Sequence, residues 1–338
     1  MKSPYLVRPS VDMLVMGGAS ILLYAVCRGI EGGAAGASLG AAWDAVAMLV
    51  AAMNGSHFAA TSYRLYRSRE ATRRFPLTST LVPAVVLAGV AASFFWPLAI
   101  APYFIKLFLL WSPYHYSGQT VGLSVLYSRR AGLTFEPLER ASLAGFVFGT
   151  FLASVARAET QLNRFDYFGI AYPAFGLPSW VAQACLAGTA LCGAVFLFYA
   201  ARRLKRGDAL PAIVYVAPAA QFVWFILGPK SSLFYPLVPM FHGAQYLFVS
   251  WFLQIQEKKL EGGGAAAETA RWGAWSLAGY FILFLALPKL LSVLTGQSFL
   301  FATAVFTGGV QLHHFFVDGV IWRLRTPAVA RVMTAKLS

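Results

Sequence analysis

The residues in this sequence best suited to chemistry are its five histidines, His57, His115, His242, His313 and His314. Each lies inside a long apolar run rather than in a polar connection. Imidazole is the commonest side-chain ligand for metals and suits iron, copper and zinc. A polar ring at bilayer depth is costly, so by default it faces an interior and marks a site. Every histidine also has polar company about one helical turn away. Thr61 follows His57 by four, Gln119 follows His115 by four, Gln245 follows His242 by three, and Asp318 follows His314 by four. Residues so spaced share a helix face. These four are therefore candidates to orient a ligating ring through its second nitrogen. Helix neighbours diverge by about 100°, so of His313 and His314 one is expected to be a ligand and the other a supporting residue.

The pattern reads as a metal centre with His57, His115, His242 and His313 or His314 as ligands, and Gln119, Gln245, Asp318 and Thr61 around them. No residue is singled out as catalytic. The three cysteines, Cys27, Cys185 and Cys192, fall in apolar runs and give no thiolate cluster for an iron–sulfur site. Cys185 and Cys192 read as small packing residues on one helix face. Among aspartates in the runs (Asp12, Asp44 and Asp318), Asp318 alone follows a histidine by one turn. A three- or four-histidine set with at most one carboxylate fits mononuclear non-haem iron, or copper, better than a carboxylate-rich di-iron centre. Haem with the same histidines as axial ligands is the alternative. Phosphate-binding loops, nucleophile elbows, C-x-x-C pairs and H-E-x-x-H motifs are absent.

The elements that must position these residues follow from composition. Of 338 residues, 58% are hydrophobic and only 12% charged, and the mean hydropathy is +0.63. A soluble domain has about 25% charged residues, so lipid must cover this surface. The expected fold class is an all-α polytopic bundle forming one membrane domain over 1–338. About ten spans are predicted from run length, at 11–30, 40–63, 78–97, 101–128, 138–157, 178–201, 209–228, 233–255, 271–291 and 298–322. Gly17 and Gly18 interrupt the first and Pro218 the seventh. The segment from Gln256 to Arg271, with Gly262–Gly264 and three alanines, reads as a flexible linker.

The net charge of +14 is not a nucleic-acid signature, because its basic residues form clusters between apolar runs. These clusters are Arg64, Arg67, Arg69, Arg73 and Arg74; Arg129 and Arg130; Arg202, Arg203, Lys205 and Arg206; and Arg323 with Arg325. They follow alternate spans, while the intervening loops are nearly neutral, including a balanced Arg157/Glu159/Arg164/Asp166 set. The positive-inside rule then places both termini in the cytoplasm, as in a bacterial inner-membrane protein. The basic rim would meet anionic lipid headgroups. All the histidine-bearing spans then run inward, with the rings about 10 to 22 Å from their cytoplasmic ends.

The lone intramembrane histidines on separate spans, with the W-S-P-Y-H stretch at Trp111–His115, resemble those of membrane-embedded histidine-ligated oxygenases of the Brp/Blh β-carotene dioxygenase type. That resemblance implies an all-helical protein in which histidines from several helices hold one iron. Membrane desaturases are a poorer match, since their H-x-x-x-H and H-x-x-H-H boxes are missing. The expected function is an oxidoreductase or oxygenase acting on a lipid-soluble substrate, such as a carotenoid, acyl lipid or quinone, with an electron donor as a further partner. Two other readings stay open: a haem- or pigment-binding membrane subunit, and a transporter or proton-coupled channel.

Overall fold

The computed structural model describes residues 3–32, 40–67, 69–160, 165–322 and 332. The basic pair Arg323 and Arg325, Arg164, and the side chain of Asp44 lie outside the described residues. The chain is all-helical, with 82% helix and 2% strand. Each apolar run folds as one helix or as helical segments joined end to end. In chain order these are α1 Pro9–Glu31, α2 Gly40–Tyr66, α3 Leu77–Phe95, α4 Ala101–Arg130, α5 Pro137–Ala158, α6 Ser179–Arg206, α7 Ile213–Lys230, α8 Val238–Leu260, α9 Ala265–Thr295 and α10 Phe299–Ile321. Seven of them (α1, α3, α5, α6, α7, α9 and α10) are long and apolar enough to cross a membrane. The other three, α2, α4 and α8, have 27, 30 and 23 residues, but carry more polar residues.

Small residues set how closely the helices approach. Gly145 and Gly149 of α5 let α6 pack tightly: a Cβ at Gly145 would sit 2.6 Å from Cys192 Sγ, and one at Gly149 would collide with Thr189. The Cys192 thiol thus fills a helix contact. Gly17 breaks α1 with φ 147° and brings it against α7, where a Cβ would lie 2.5 Å from Ala220 Cβ. The break leaves the Met16 carbonyl free to accept from Gln245 Nε2 at 2.9 Å, which ties α1 to α8.

The connection between α8 and α9 is a tight turn, not a linker. α8 runs to Leu260 and α9 starts at Ala265. Alanines favour helix there, and Glu268, in the first turn of α9, accepts from Gln254 at 2.7 Å and from Tyr63 at 3.0 Å. The short strands Phe165–Tyr167 and Ile170–Tyr172 pair as an antiparallel hairpin, turning through Phe168 and Gly169 at positive φ. Beside it, Lys106 of α4 forms a buried ion pair with Glu159 at 2.8 Å, and its ammonium sits 3.6 Å from the Phe175 ring centre.

Candidate metal centre

The three more polar helices and α10 meet around one point. α2 brings His57 and Thr61, α4 brings His115, α8 brings His242 and Tyr246, and α10 brings His314 and Asp318. Gly243 makes the α2–α8 approach possible: a Cβ there would lie 3.1 Å from the Met53 carbonyl and 3.2 Å from His57 Nδ1. His57 and His242 are fully buried, and His314 and His115 nearly so. Their rings form a closed circuit. Centroids are 5.2 Å apart for His57–His242, 5.0 Å for His242–His115, 4.7 Å for His115–His314 and 4.8 Å for His314–His57. Adjacent planes are steeply crossed, at 74° to 87°.

These spacings can be compared with metal ligation. With metal–nitrogen bonds of about 2.1 Å and ring centres about 1.1 Å beyond, four imidazoles around one ion have centroids about 4.5 Å apart in a square and about 5.2 Å in a tetrahedron. The observed circuit falls in that interval. Ligand atoms around such an ion lie about 3.0 to 3.4 Å apart along adjacent edges. His115 Nε2 and His314 Nε2 are 3.1 Å apart, and Asp318 Oδ2 is 3.5 and 3.4 Å from them. His57, His242 and His314 form a second group, offering nitrogens within 4.8 Å of one another.

Both ring nitrogens of His57 and of His242 are buried without a hydrogen-bond partner. Leaving a buried donor or acceptor unsatisfied costs about 1 to 3 kcal/mol each, and most buried polar atoms in folded proteins are paired. Each of these two rings therefore has a nitrogen available for ligation. Aromatic rings wall the cluster. Tyr116 stacks on His242 at 3.8 Å between ring centres, and Phe315 on His115 at 4.7 Å.

The supporting polar groups are arranged differently from the one-turn pattern. Thr61 Oγ1 bonds His314 Nδ1 at 2.8 Å, across helices, rather than its own neighbour's ring. Its hydroxyl donates to Tyr246 Oη at 2.5 Å, and Tyr246 donates to Asp318 Oδ1 at 3.1 Å. Trp322 Nε1 donates to the same carboxylate oxygen at 3.0 Å. Gln119 and Gln245 bond each other at 2.9 Å instead of an imidazole, and Gln119 also reaches the His242 carbonyl at 3.3 Å. His313 points away from the cluster, stacked on Tyr66 with Nε2 3.0 Å from the Tyr66 hydroxyl. Asp12 is occupied elsewhere, accepting from the Leu6, Val7 and Arg8 amides and from Tyr127.

Sequence reasoning did not assign Tyr246 and Trp322 to this network. Their only signals were Tyr246 four residues after His242 and Trp322 four after Asp318. A cavity of about 350 Å³ adjoins the cluster, touching His115, Asp318 and Tyr246. Apart from these and the two glutamines, its walls are chiefly apolar and aromatic, including Trp111, Phe148 and Trp322. In comparison with known proteins, the chain matches no family model, no curated protein and no solved structure.

Proposed function

We propose that His57, His115, His242 and His314 hold a single transition-metal ion, with the Asp318 carboxylate as a fifth or closely adjacent oxygen ligand. The carrying observation is the closed circuit of four buried imidazoles, two of them with no other partner for either nitrogen. Non-haem iron is the metal we favour, and copper the alternative. A bare ion is favoured over haem because rings about 5 Å apart on all four sides leave no slot for a macrocycle. A proton or ion path is disfavoured because the histidines converge on one point instead of following one another across the bilayer. The bound ion would supply a Lewis-acidic, redox-active centre with room for a further small ligand. The chain's own groups hold it, orient His314 through Thr61, and surround it with aromatic rings that keep bulk water away. The adjoining apolar cavity supports an oxidoreductase or oxygenase reading with a lipid-soluble substrate.

The topology belongs to the same proposal. We read α2, α4 and α8 as spans alongside the seven more apolar helices, with both termini cytoplasmic in a bacterial inner membrane. Their lower hydropathy comes from polar side chains turned toward the centre. The decisive experiment is to purify the protein in mild detergent and measure metal content together with the visible spectrum. About one iron or copper per chain without a Soret band is expected, with loss of at least nine-tenths of it in His57→Ala and His242→Ala. Full retention of metal in both folded variants, or a porphyrin spectrum, would overturn the reading.

A further inference from the structure

Among the described residues, two pairs of glycines stand four apart, and they do opposite things. Gly145 and Gly149 of α5 are filled by α6, as small residues in membrane helices usually are. Gly118 and Gly122 of α4 also stand four apart, yet a Cβ at either would meet nothing within 4 Å. Both line the cavity that reaches His115. A glycine inside a helix costs about 1 kcal/mol relative to alanine, and here no helix contact offsets that cost. Both positions are exposed, so what they provide is an open groove along α4.

The cavity follows one face of α4. Its lining residues there run from Trp111 through His115, Gly118 and Gly122 to Leu126, spaced three or four apart. The polar groups gather at the His115 level, and the wall from Gly122 to Leu126 is apolar. From His115 to Leu126 the helix rises about 16 Å, and an extended hydrocarbon advances about 1.25 Å per carbon, so the trough holds a chain of about 13 carbons.

We infer that this trough receives the unbranched apolar tail of the substrate, with its functional head at His115 and Asp318, and that Gly118 and Gly122 set the tail length accepted. The inference rests on the metal-centre reading for which end reacts. It does not rest on that reading for the tail site itself. Gly122 stands about 10 Å along the helix from His115, or about eight carbons, and Gly118 about 4.5 Å. A leucine at 122 would therefore close the far part of the trough and leave the near part open. A leucine at 118 would close both.

The test uses straight-chain primary alcohols of 8, 12 and 16 carbons as probes, with binding to the detergent-purified protein measured by native mass spectrometry. Metal content is measured on the same samples. The unmodified protein should bind the 16-carbon alcohol at least tenfold more tightly than the 8-carbon one. Gly122→Leu should lose at least tenfold for the 16-carbon probe and keep 8-carbon binding within about twofold, which also shows that it has folded. Gly118→Leu should lose both. Gly188→Leu on α6, where a Cβ likewise meets nothing within 4 Å, should change neither. Absence of any length preference, or 16-carbon binding unchanged in Gly122→Leu, would overturn the inference. Metal without length preference refutes the tail site alone; length preference in a protein that takes up no metal refutes the metal centre alone.

Discussion

Thr61→Val is a sharp test of how the centre is held, because it removes one hydroxyl and leaves the shape nearly unchanged. Thr61 is buried, with its oxygen 2.8 Å from His314 Nδ1 and 2.5 Å from the Tyr246 hydroxyl. Thr61 has one hydroxyl proton, with Tyr246 Oη at 2.5 Å and the His57 carbonyl at 3.1 Å as its acceptors. With that proton given to either, Thr61 oxygen is left to accept from His314 Nδ1–H. The His314 lone pair therefore sits on Nε2, the nitrogen 3.1 Å from His115 Nε2. Valine leaves Nδ1 buried and unpaired, at a cost of about 1 to 3 kcal/mol, and removes what selects the ligating tautomer. Loss of such a supporting bond typically weakens metal affinity 10- to 100-fold, or about 1.4 to 2.8 kcal/mol. The assay is titration of metal-stripped protein against a chelator of known affinity, beside the thermal midpoint of the metal-free form. Affinity within twofold of the unmodified protein, in a folded variant, would refute the argument that Thr61 orients His314.

Other consequences can be checked separately. His313→Ala should leave metal stoichiometry unchanged and cost about 0.5 to 1.5 kcal/mol of stability through the lost Tyr66 bond, whereas His314→Ala should abolish metal uptake; equal metal loss in the two would show that the adjacent pair has been assigned wrongly. Lys106→Met strands the buried Glu159 carboxylate and should destabilise by about 3 to 5 kcal/mol, while Lys106→Met with Glu159→Leu should recover most of it, as read from thermal midpoints. In a background lacking the native cysteines, Thr134→Cys should react with an impermeant maleimide only from the cytoplasmic side and Gln297→Cys only from the opposite side. Labelling of both from one side would break the alternation on which the ten-span topology depends.

Much of the helical layout was legible because bilayer thickness imposes a length on each apolar run. The predicted limits 101–128 and 298–322 fall within two residues of Ala101–Arg130 and Phe299–Ile321. The seven helices that qualify by apolar composition omit α2, α4 and α8 for a physical reason. Side chains such as Asn54, His57, Thr61, His115, Gln119, His242 and Gln245 lower the hydropathy of the very helices that carry the candidate site. The set of histidines was legible as lone polar rings in apolar runs. Their partners were less so, because one-turn spacing finds neighbours on the same helix. The bonds that matter join Thr61 to His314, 253 residues away, and to Tyr246, 185 away. The 256–271 linker was misread because its glycines occupy only the turn, while Ala265–Ala267 and Glu268 begin a helix. The hairpin at 165–172 is too short to leave a period in the sequence.

The order in which the chain is made has a bearing on the centre. His57 arrives early, whereas His314 and Asp318 lie on α10, the last long helix described. A nascent chain with the first three of these histidines already in the membrane still lacks His314, the residue common to both candidate ligand groups. At the proposed centre, metal capture would wait for α10, and the ion would join that helix to α2. Binding at such a site adds to the stability of the finished bundle. Metal starvation would therefore act on the completed protein, loosening α10 from α2 and α4, and leave membrane insertion of the earlier helices untouched.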